Sequence, residues 1–488
     1  MKNTKQNSNA LSAVFWSFIQ RGGSLIISFL ANIVLARLLS PEDFGCIGIL
    51  LVFVCIADIL VDGGLGASLI HKKDISNKDI CTVFTSNFAL SSIIFVILFI
   101  FAPYIALYFN IPNLDKYLRL ESVAIIFRAF YVVQTAILTK ELKFKDIAKV
   151  NIIASVCGSS VGIIMASLNL GVLSLIGKNL THQLMLVILY RIKSKVPSKF
   201  GFNIISFNQL FKYGWFVALT SFMDLIHSNI ASFIIGKSYS VKNLGYYNQA
   251  YSLQQIPTYS ISMVINQVLF PYMSKVNNDN NMVNNYAKRV TTITAFAVLP
   301  IMIFLIFFAK PVIIIIYSAK WLPAATYFQV LCIGGLFNAF IHINRNILKS
   351  IGETRLLFKI QFIITIIGII LLIIACNYSI MILISSIILC SIINWITISV
   401  FAGSKIGYIM IEQIHDIFPS FIISLTSGIG TFLICNYIKS HVILITMIAT
   451  LIFFSLYFFI HYLFKTQSLR IIVEMVFPNR KIYGKKSL

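Results

Sequence analysis

A positively charged side chain lies near the centre of an apolar run that is long enough to cross a bilayer. The run extends from Leu11 to Leu39, and Arg21 lies close to its middle. At helical steps of three and four, Arg21 shares one face with the polar residues Ser17, Ser24, Ser28 and Asn32. A cation at mid-bilayer costs roughly 3 kcal/mol on insertion scales, so this face is unsuited to lipid. The run therefore predicts a helix whose polar stripe faces a protein interior or an aqueous cavity.

The composition extends this prediction to the whole chain. Hydrophobic residues make up 58% and charged residues 11% of the 488 positions, whereas soluble domains carry about 25% charged residues. Because one helical span needs about 20 residues, the apolar runs predict an all-α polytopic membrane protein with about 14 transmembrane helices. The fourth span, 117–139, and the eighth, 244–273, are the most polar.

The net charge of +23 indicates orientation rather than nucleic-acid binding. Lys and Arg concentrate in every second connection between apolar runs, which is typical of cytoplasmic loops and predicts that both termini are cytoplasmic. No nucleic-acid partner is expected. The eight cysteines show no metal-ligand spacing. The sequence also contains no GxxxxGK[ST] phosphate loop, so ATP hydrolysis is not expected.

An internal repeat predicts two pseudo-symmetric six-helix lobes plus an extra C-terminal helix pair. The turn Ser40–Gly45 after the first span reappears as Ser240–Gly245 after the seventh, and at the same offset the stripe containing Arg21 aligns with one containing Asp224. Six spans separate the copies, so both lobes should run in the same sense. The predicted parts are an N-terminal lobe at 1–192, a basic cytoplasmic linker at 193–209, a C-terminal lobe at 210–404, the helix pair at 405–465 and a basic cytoplasmic tail at 466–488.

Two segments carry a family resemblance. LARLLSPEDFG at 35–45 and DGGLGASLI at 62–70 resemble the start of Wzx-type polysaccharide exporters. The branch that is most similar contains the colanic acid and teichuronic acid exporters, within the superfamily of multidrug and toxin extruders (MATE) and lipid II flippases.

This resemblance implies a MATE-like fold in the bacterial cytoplasmic (inner) membrane. It also implies a flippase that moves undecaprenyl-pyrophosphate-linked oligosaccharide repeat units by alternating access, for O-antigen, capsule or exopolysaccharide biosynthesis. Besides this cargo, the expected partners are membrane lipids, a glycan polymerase and the chain-length machinery. No cofactor is expected.

Such a cargo carries two negative charges at its pyrophosphate, which call for cations inside the membrane. The candidates are Arg21, Arg128 and Lys178. Each has a simpler interpretation: Arg21 could form an internal ion pair with Asp58, Glu121 could neutralise Arg128 from the same helix face, and Lys178 could extend to the interface. His182, one turn after Lys178, fits helix packing.

The sugar part of such a cargo calls for amides and aromatic hydroxyls. The eighth span carries these groups at helical spacing, with Pro257 expected to bend the helix among them. The sugar-binding candidates are Asn248, Tyr251, Gln255, Tyr259 and Asn266. Polar contacts between helices explain the same pattern equally well.

Carboxylates within the spans are candidates for coupling to a proton or sodium gradient. Asp58 in the second span and Asp224 in the seventh are the residues proposed for this role. Asp62 is better explained as a cap on the Gly63–Gly64 turn.

Three function classes are open to such a chain. A lipid-linked oligosaccharide flippase predicts more cations than anions inside the lobes, as found here. A multidrug or organic-cation efflux antiporter predicts an anionic cavity, for which Asp58 and Asp224 are the available residues. A membrane glycan polymerase or acyltransferase predicts a long outward loop or a dense catalytic cluster, and the longest outward connection, 309–323, is short. We therefore expect a transporter and not an enzyme.

Overall fold

The computed structural model describes residues 2–194, 199–275, 280–438 and 441–476, and within these ranges all side chains except those of residues 2–15, 17, 18, 21, 259–275, 280, 472 and 474–476. In this part of the chain there are nineteen α-helices and no strand. The helices are α1 (Lys2–Leu38), α2 (Pro41–Asp62), α3 (Leu65–His71), α4 (Asn77–Phe109), α5 (Leu114–Glu121), α6 (Val123–Ala129), α7 (Val132–Lys140), α8 (Phe144–Ser167), α9 (Val172–Lys193), α10 (Ile204–Ser238), α11 (Val241–Lys275), α12 (Asn280–Phe307), α13 (Ala309–Tyr317), α14 (Ala324–Ser350), α15 (Thr354–Ala375), α16 (Ile380–Ile406), α17 (Met410–Asn436), α18 (Val442–Leu463) and α19 (Gln467–Val476).

The predicted all-α polytopic architecture is confirmed. Among the described residues, eleven helices are long and apolar enough to cross a membrane, and α5, α6 and α7 together form a twelfth, bent span. Helices α1 and α11 contain 37 and 35 residues, which is roughly 50 Å at 1.5 Å per residue and enough to cross a bilayer. Part of each lies outside the described side chains, and neither belongs to the twelve. The predicted number of about fourteen stays a prediction.

The predicted turn repeat has a common local structure. The Oγ atom of Ser40 accepts a hydrogen bond from the Asp43 N–H at 3.2 Å, and Asp43 Oδ2 accepts one from the Ser40 N–H at 2.9 Å. This capping box starts α2, with Pro41 in its first turn. In the second copy, the Oγ atom of Ser240 accepts from the Asn243 N–H at 3.3 Å at the start of α11. The two serines therefore cap equivalent helices.

These two helix starts also touch each other through glycine. A Cβ atom added to Gly45 would collide with the carbonyl oxygen of Val241, and one added to Gly245 would collide with the carbonyl oxygen of Pro41. The contact is reciprocal, as a pseudo-symmetric repeat requires. Only residues without a side chain allow the two backbones to approach this closely.

The chain divides into two compact units, Met1–Asn248 and Gln249–Leu488. In the first unit, α8 packs against α1 and α9, and α10 packs against α2, α3 and α4. In the second unit, α14 packs against α12 and α16, and α17 packs against α12 and α18. The lobe boundaries predicted from the repeat remain a prediction.

A polar cluster ties helices together in the second unit. The Asn344 side-chain nitrogen donates to Ser399 Oγ and Gln413 Oε1, both at 3.1 Å. In the connection before α17, the Tyr408 hydroxyl donates to Asp416 Oδ2 at 2.7 Å. Burial raises the pKa of Tyr408, which keeps this hydroxyl protonated and able to donate.

Candidate functional site

The fourth span is bent at one place, next to a charged residue. Helix α5 continues into α6 through Ser122, which has helical backbone angles, and α6 ends at Ala129, one residue after Arg128. Between the α5–α6 segment and α7 the chain bends by 40°. Discontinuous spans of this kind commonly form binding sites in transporters, because their ends bring polar groups to mid-membrane depth.

Arg128 forms an ion pair with Asp58 of α2. Arg128 Nη1 lies 2.8 Å from Asp58 Oδ2, and the side chains are 33% and 17% exposed, respectively. Arg128 Nε is buried and has no hydrogen-bond partner among the described residues. The carboxylate therefore holds one end of a side chain that is still one-third exposed.

The structure contradicts the simpler interpretation of Arg128. Asp58, and not Glu121, pairs with Arg128. Glu121 accepts a hydrogen bond from the side-chain nitrogen of Asn179 on α9. The bent span is therefore linked to α2 through Arg128 and to α9 through Glu121, while the pairing of Arg21 with Asp58 stays a prediction because the Arg21 side chain lies outside the described residues.

A tyrosine at the bend extends this polar cluster toward α8 and α9. The Tyr131 hydroxyl donates to Gln183 Oε1 at 2.8 Å. The Tyr131 ring stacks on Tyr190, with centroids 5.8 Å apart and 17° between the planes. Tyr190 in turn accepts a hydrogen bond from Asn151 Nδ2 at 2.9 Å. These contacts hold the bend next to Arg128 against two neighbouring helices.

Lys178 and His182 lie at the close contact between α8 and α9. A Cβ atom added to Gly158 would lie 2.9 Å from His182 Cβ, and one added to Gly162 would lie 2.7 Å from Lys178 Cβ. The packing interpretation of His182 fits this position. No described residue forms an ion pair or hydrogen bond with the Lys178 ammonium. Its role as a pyrophosphate contact stays a prediction.

The predicted sugar-binding stripe is described only in part. Asn248 lies against α2 and α10: its Oδ1 accepts from Ser232 Oγ at 3.0 Å, and its amide nitrogen occupies the space where a Cβ atom on Gly48 would lie. Helix packing therefore accounts for Asn248. Tyr251 and Gln255 are half-buried, and the side chains of Tyr259 and Asn266 lie outside the described residues.

The remaining predicted residues are Asp62, Asp224 and Arg21. The Asp62 Oδ1 atom accepts from the Gly66 N–H at 3.2 Å, which confirms the capping role after the Gly63–Gly64 turn. Asp224 is exposed on α10. Arg21 lies in α1, but its side chain is outside the described residues. No group of three or more potential metal-binding side chains occurs among the described residues.

A solved structure with the same fold defines the class of protein. The lipid II flippase MurJ in an inward-closed conformation superposes with a TM-score of 0.74, covering 93% of this chain and 100% of that chain at 18% identity. The MATE-like fold predicted from the sequence is therefore confirmed.

The sequence comparison then identifies the family. Residues 34–326 match the polysaccharide biosynthesis protein family, and the chain belongs to that family. The teichuronic acid biosynthesis protein TuaB of Bacillus subtilis is 23% identical over 350 residues, which cover 71% of this chain and 72% of that protein. The lipopolysaccharide biosynthesis protein WzxC of Escherichia coli is 22% identical over 332 residues, which cover 67% of each chain.

Proposed function

We propose that this protein is a flippase that moves undecaprenyl-pyrophosphate-linked oligosaccharide across the bacterial cytoplasmic membrane. Its family is named for polysaccharide biosynthesis, and a lipid II flippase shares its fold. The observation that carries the proposal is the partly exposed Arg128 side chain, held by Asp58 next to the bend in a membrane span. A cation is costly at this depth unless it is paired or faces a ligand, and Arg128 is positioned for both.

Different residues of the protein contact the pyrophosphate and the sugars of the cargo. Arg128 contacts the pyrophosphate, since a guanidinium can donate two parallel hydrogen bonds to one phosphate group. Arg21 and Lys178 are further candidate cations. Tyr251, Gln255, Tyr259 and Asn266 offer hydroxyl and amide groups to the sugars, while the polyprenyl tail stays in lipid.

Transport proceeds by alternating access of two lobes, 1–192 and 210–404, joined by the linker at 193–209. The helix pair at 405–465 and the tail at 466–488 complete the chain, with both termini cytoplasmic. The distribution of Lys and Arg in the loops supports this orientation.

An organic-cation extruder of the same superfamily would need an uncompensated carboxylate facing its cavity. Asp58 does not provide one, because Arg128 neutralises it. Complementation in a drug-sensitive host, with no complementation of glycan export, would favour that alternative.

Replacement of Arg128 tests the proposed contact. In a flippase-deficient host, Arg128→Ala should produce about tenfold less surface glycan than the wild type, or still less, because one charge-assisted phosphate contact is lost. Arg128→Lys should retain part of the activity because lysine keeps the positive charge but lacks the planar guanidinium.

A second arginine in the same bent span supplies the matched control. Arg119 donates to the Phe99 carbonyl oxygen at 3.2 Å and lies over the Phe99 ring. Arg119→Ala should therefore export glycan normally at equal membrane abundance. Full complementation by Arg128→Ala would show that the Arg128 side chain is not part of the cargo site.

A further inference from the structure

One carboxylate in the first unit is completely buried, with no positive partner among the described residues. Glu121 is 0% exposed. Its Oε1 atom accepts a hydrogen bond from Asn179, and its Oε2 atom is buried with no hydrogen-bond partner among the described residues. Asp58 differs, because Arg128 compensates it. An ionised carboxylate buried without a cation is far more costly than the neutral acid, so this environment favours a bound proton.

The helices packed against α5 do not supply the missing cation. These are α2, α4, α6 and α9, and no nitrogen of a described Lys, Arg or His lies within 4.0 Å of the Glu121 carboxylate. Their titratable and charged side chains are Glu42, Asp43, Cys46, Cys55, Asp58 and Asp62 on α2, Lys78, Asp79, Cys81, Tyr104 and Tyr108 on α4, Arg128 on α6, and Lys178, His182, Tyr190, Arg191 and Lys193 on α9. The carboxylate of Asp58 adds repulsion rather than compensation.

Glu121 contacts a helix other than its own. Helix α5 continues into α6 through Ser122, whose φ of −62° and ψ of −19° are helical and whose N–H bonds back to the Leu118 carbonyl oxygen at 2.9 Å. From this continuous segment the Glu121 side chain reaches Asn179 on α9. A change of charge at Glu121 therefore acts on the contact between the fourth span and α9.

We infer that Glu121 is a proton-binding site, and that gain and loss of one proton there changes its contact with Asn179 of α9 during transport. In the uptake step a proton from water joins the carboxylate, and in the release step it returns to water. Asn179 suits both states, since its nitrogen donates to the carboxylate and its oxygen, after an amide flip, accepts from the acid. A metal cation would need more oxygen ligands than one carboxylate and one amide.

Infrared spectroscopy of the purified full-length protein tests proton binding without any cargo. At neutral pH the wild type should show the carbonyl stretch of a protonated carboxylic acid, and Glu121→Gln should lose that band. The control Glu141→Gln should keep it, because Glu141 is 47% exposed and paired with Lys143 at 2.6 Å. Identical spectra for the wild type and Glu121→Gln would overturn the inference.

Thermal unfolding provides a second readout that does not depend on the band assignment. Since Glu121 carries a proton in the folded state and loses it on unfolding at neutral pH, the wild type should lose stability relative to Glu121→Gln as the pH rises. A difference in stability between the wild type and Glu121→Gln that does not vary with pH would contradict proton binding at Glu121.

The coupling role rests on the proposed flippase function and has its own test. In vesicles, an imposed proton gradient should accelerate flipping of a lipid-linked oligosaccharide by the wild type and have no effect on Glu121→Gln. If the band is present but no flipping occurs, proton binding stands and the proposed function fails. If a sodium gradient accelerates flipping and a proton gradient does not, the site binds a metal cation and the inference is wrong.

Discussion

Asp58 and Arg128 allow structural and transport roles to be separated at the scale of single residues. Removing one partner leaves the other charge uncompensated in the membrane interior, and we expect Asp58→Ala to cost about 2 kcal/mol of stability. The double change Asp58→Leu with Arg128→Leu should recover most of that stability because no charge remains. It should still fail to export glycan. Thermal unfolding together with complementation of both variants checks this, and a double variant that exports glycan would show that the pair only joins α2 to α6.

The residues of this site were predictable only in part. Arg128 was identified from its charge within an apolar run, but its partner was not, because the rotation of α5 and α6 decides whether Asp58 or Glu121 faces it. The heptad spacing predicts that Glu121 neutralises Arg128. Seven residues along a helix are about 10.5 Å apart, so a shared face does not by itself bring the two side chains together. They bind different helices instead.

At the scale of helices, the glycine contact between α2 and α11 yields a packing prediction. Gly45→Val should destabilise the protein by about 2 kcal/mol, since the new side chain would overlap the Val241 carbonyl oxygen and force the backbones apart. Gly430→Ala is the matched control, because its Cβ atom would meet nothing closer than Leu456 Cδ1 at 3.8 Å. Equal melting temperatures for Gly45→Val and the wild type would mean that the two helices do not approach this closely.

The helices themselves were largely predictable, and the exception has a physical reason. The Ser40 cap and its copy at Ser240 are local hydrogen-bond patterns that follow from the sequence. The 40° bend in the fourth span is different, since residues 114–140 contain neither Gly nor Pro. Contacts from other helices, such as Tyr131 with Gln183, accompany this bend, and helical periodicity does not report them.

At the scale of the whole molecule, the span count predicts a topology. Reporter fusions at Lys73, Lys143, Lys199 and the C-terminus should report the cytoplasm, because these connections carry the basic residues. Fusions after Ser40 and after Ser240 should report the exterior. An opposite result at Ser240 alone would mean that the number of spans between the two repeats is odd.

The central claim is that a partly exposed arginine next to the bend in a membrane span receives the pyrophosphate of a lipid-linked oligosaccharide. The most direct test is the rate at which the purified protein moves such a molecule between the leaflets of a vesicle. The wild type and Arg119→Ala should move it much faster than protein-free vesicles, and Arg128→Ala should move it at least about tenfold more slowly than the wild type. Equal rates for Arg128→Ala and the wild type, or a wild-type rate no faster than that of empty vesicles, would contradict the claim.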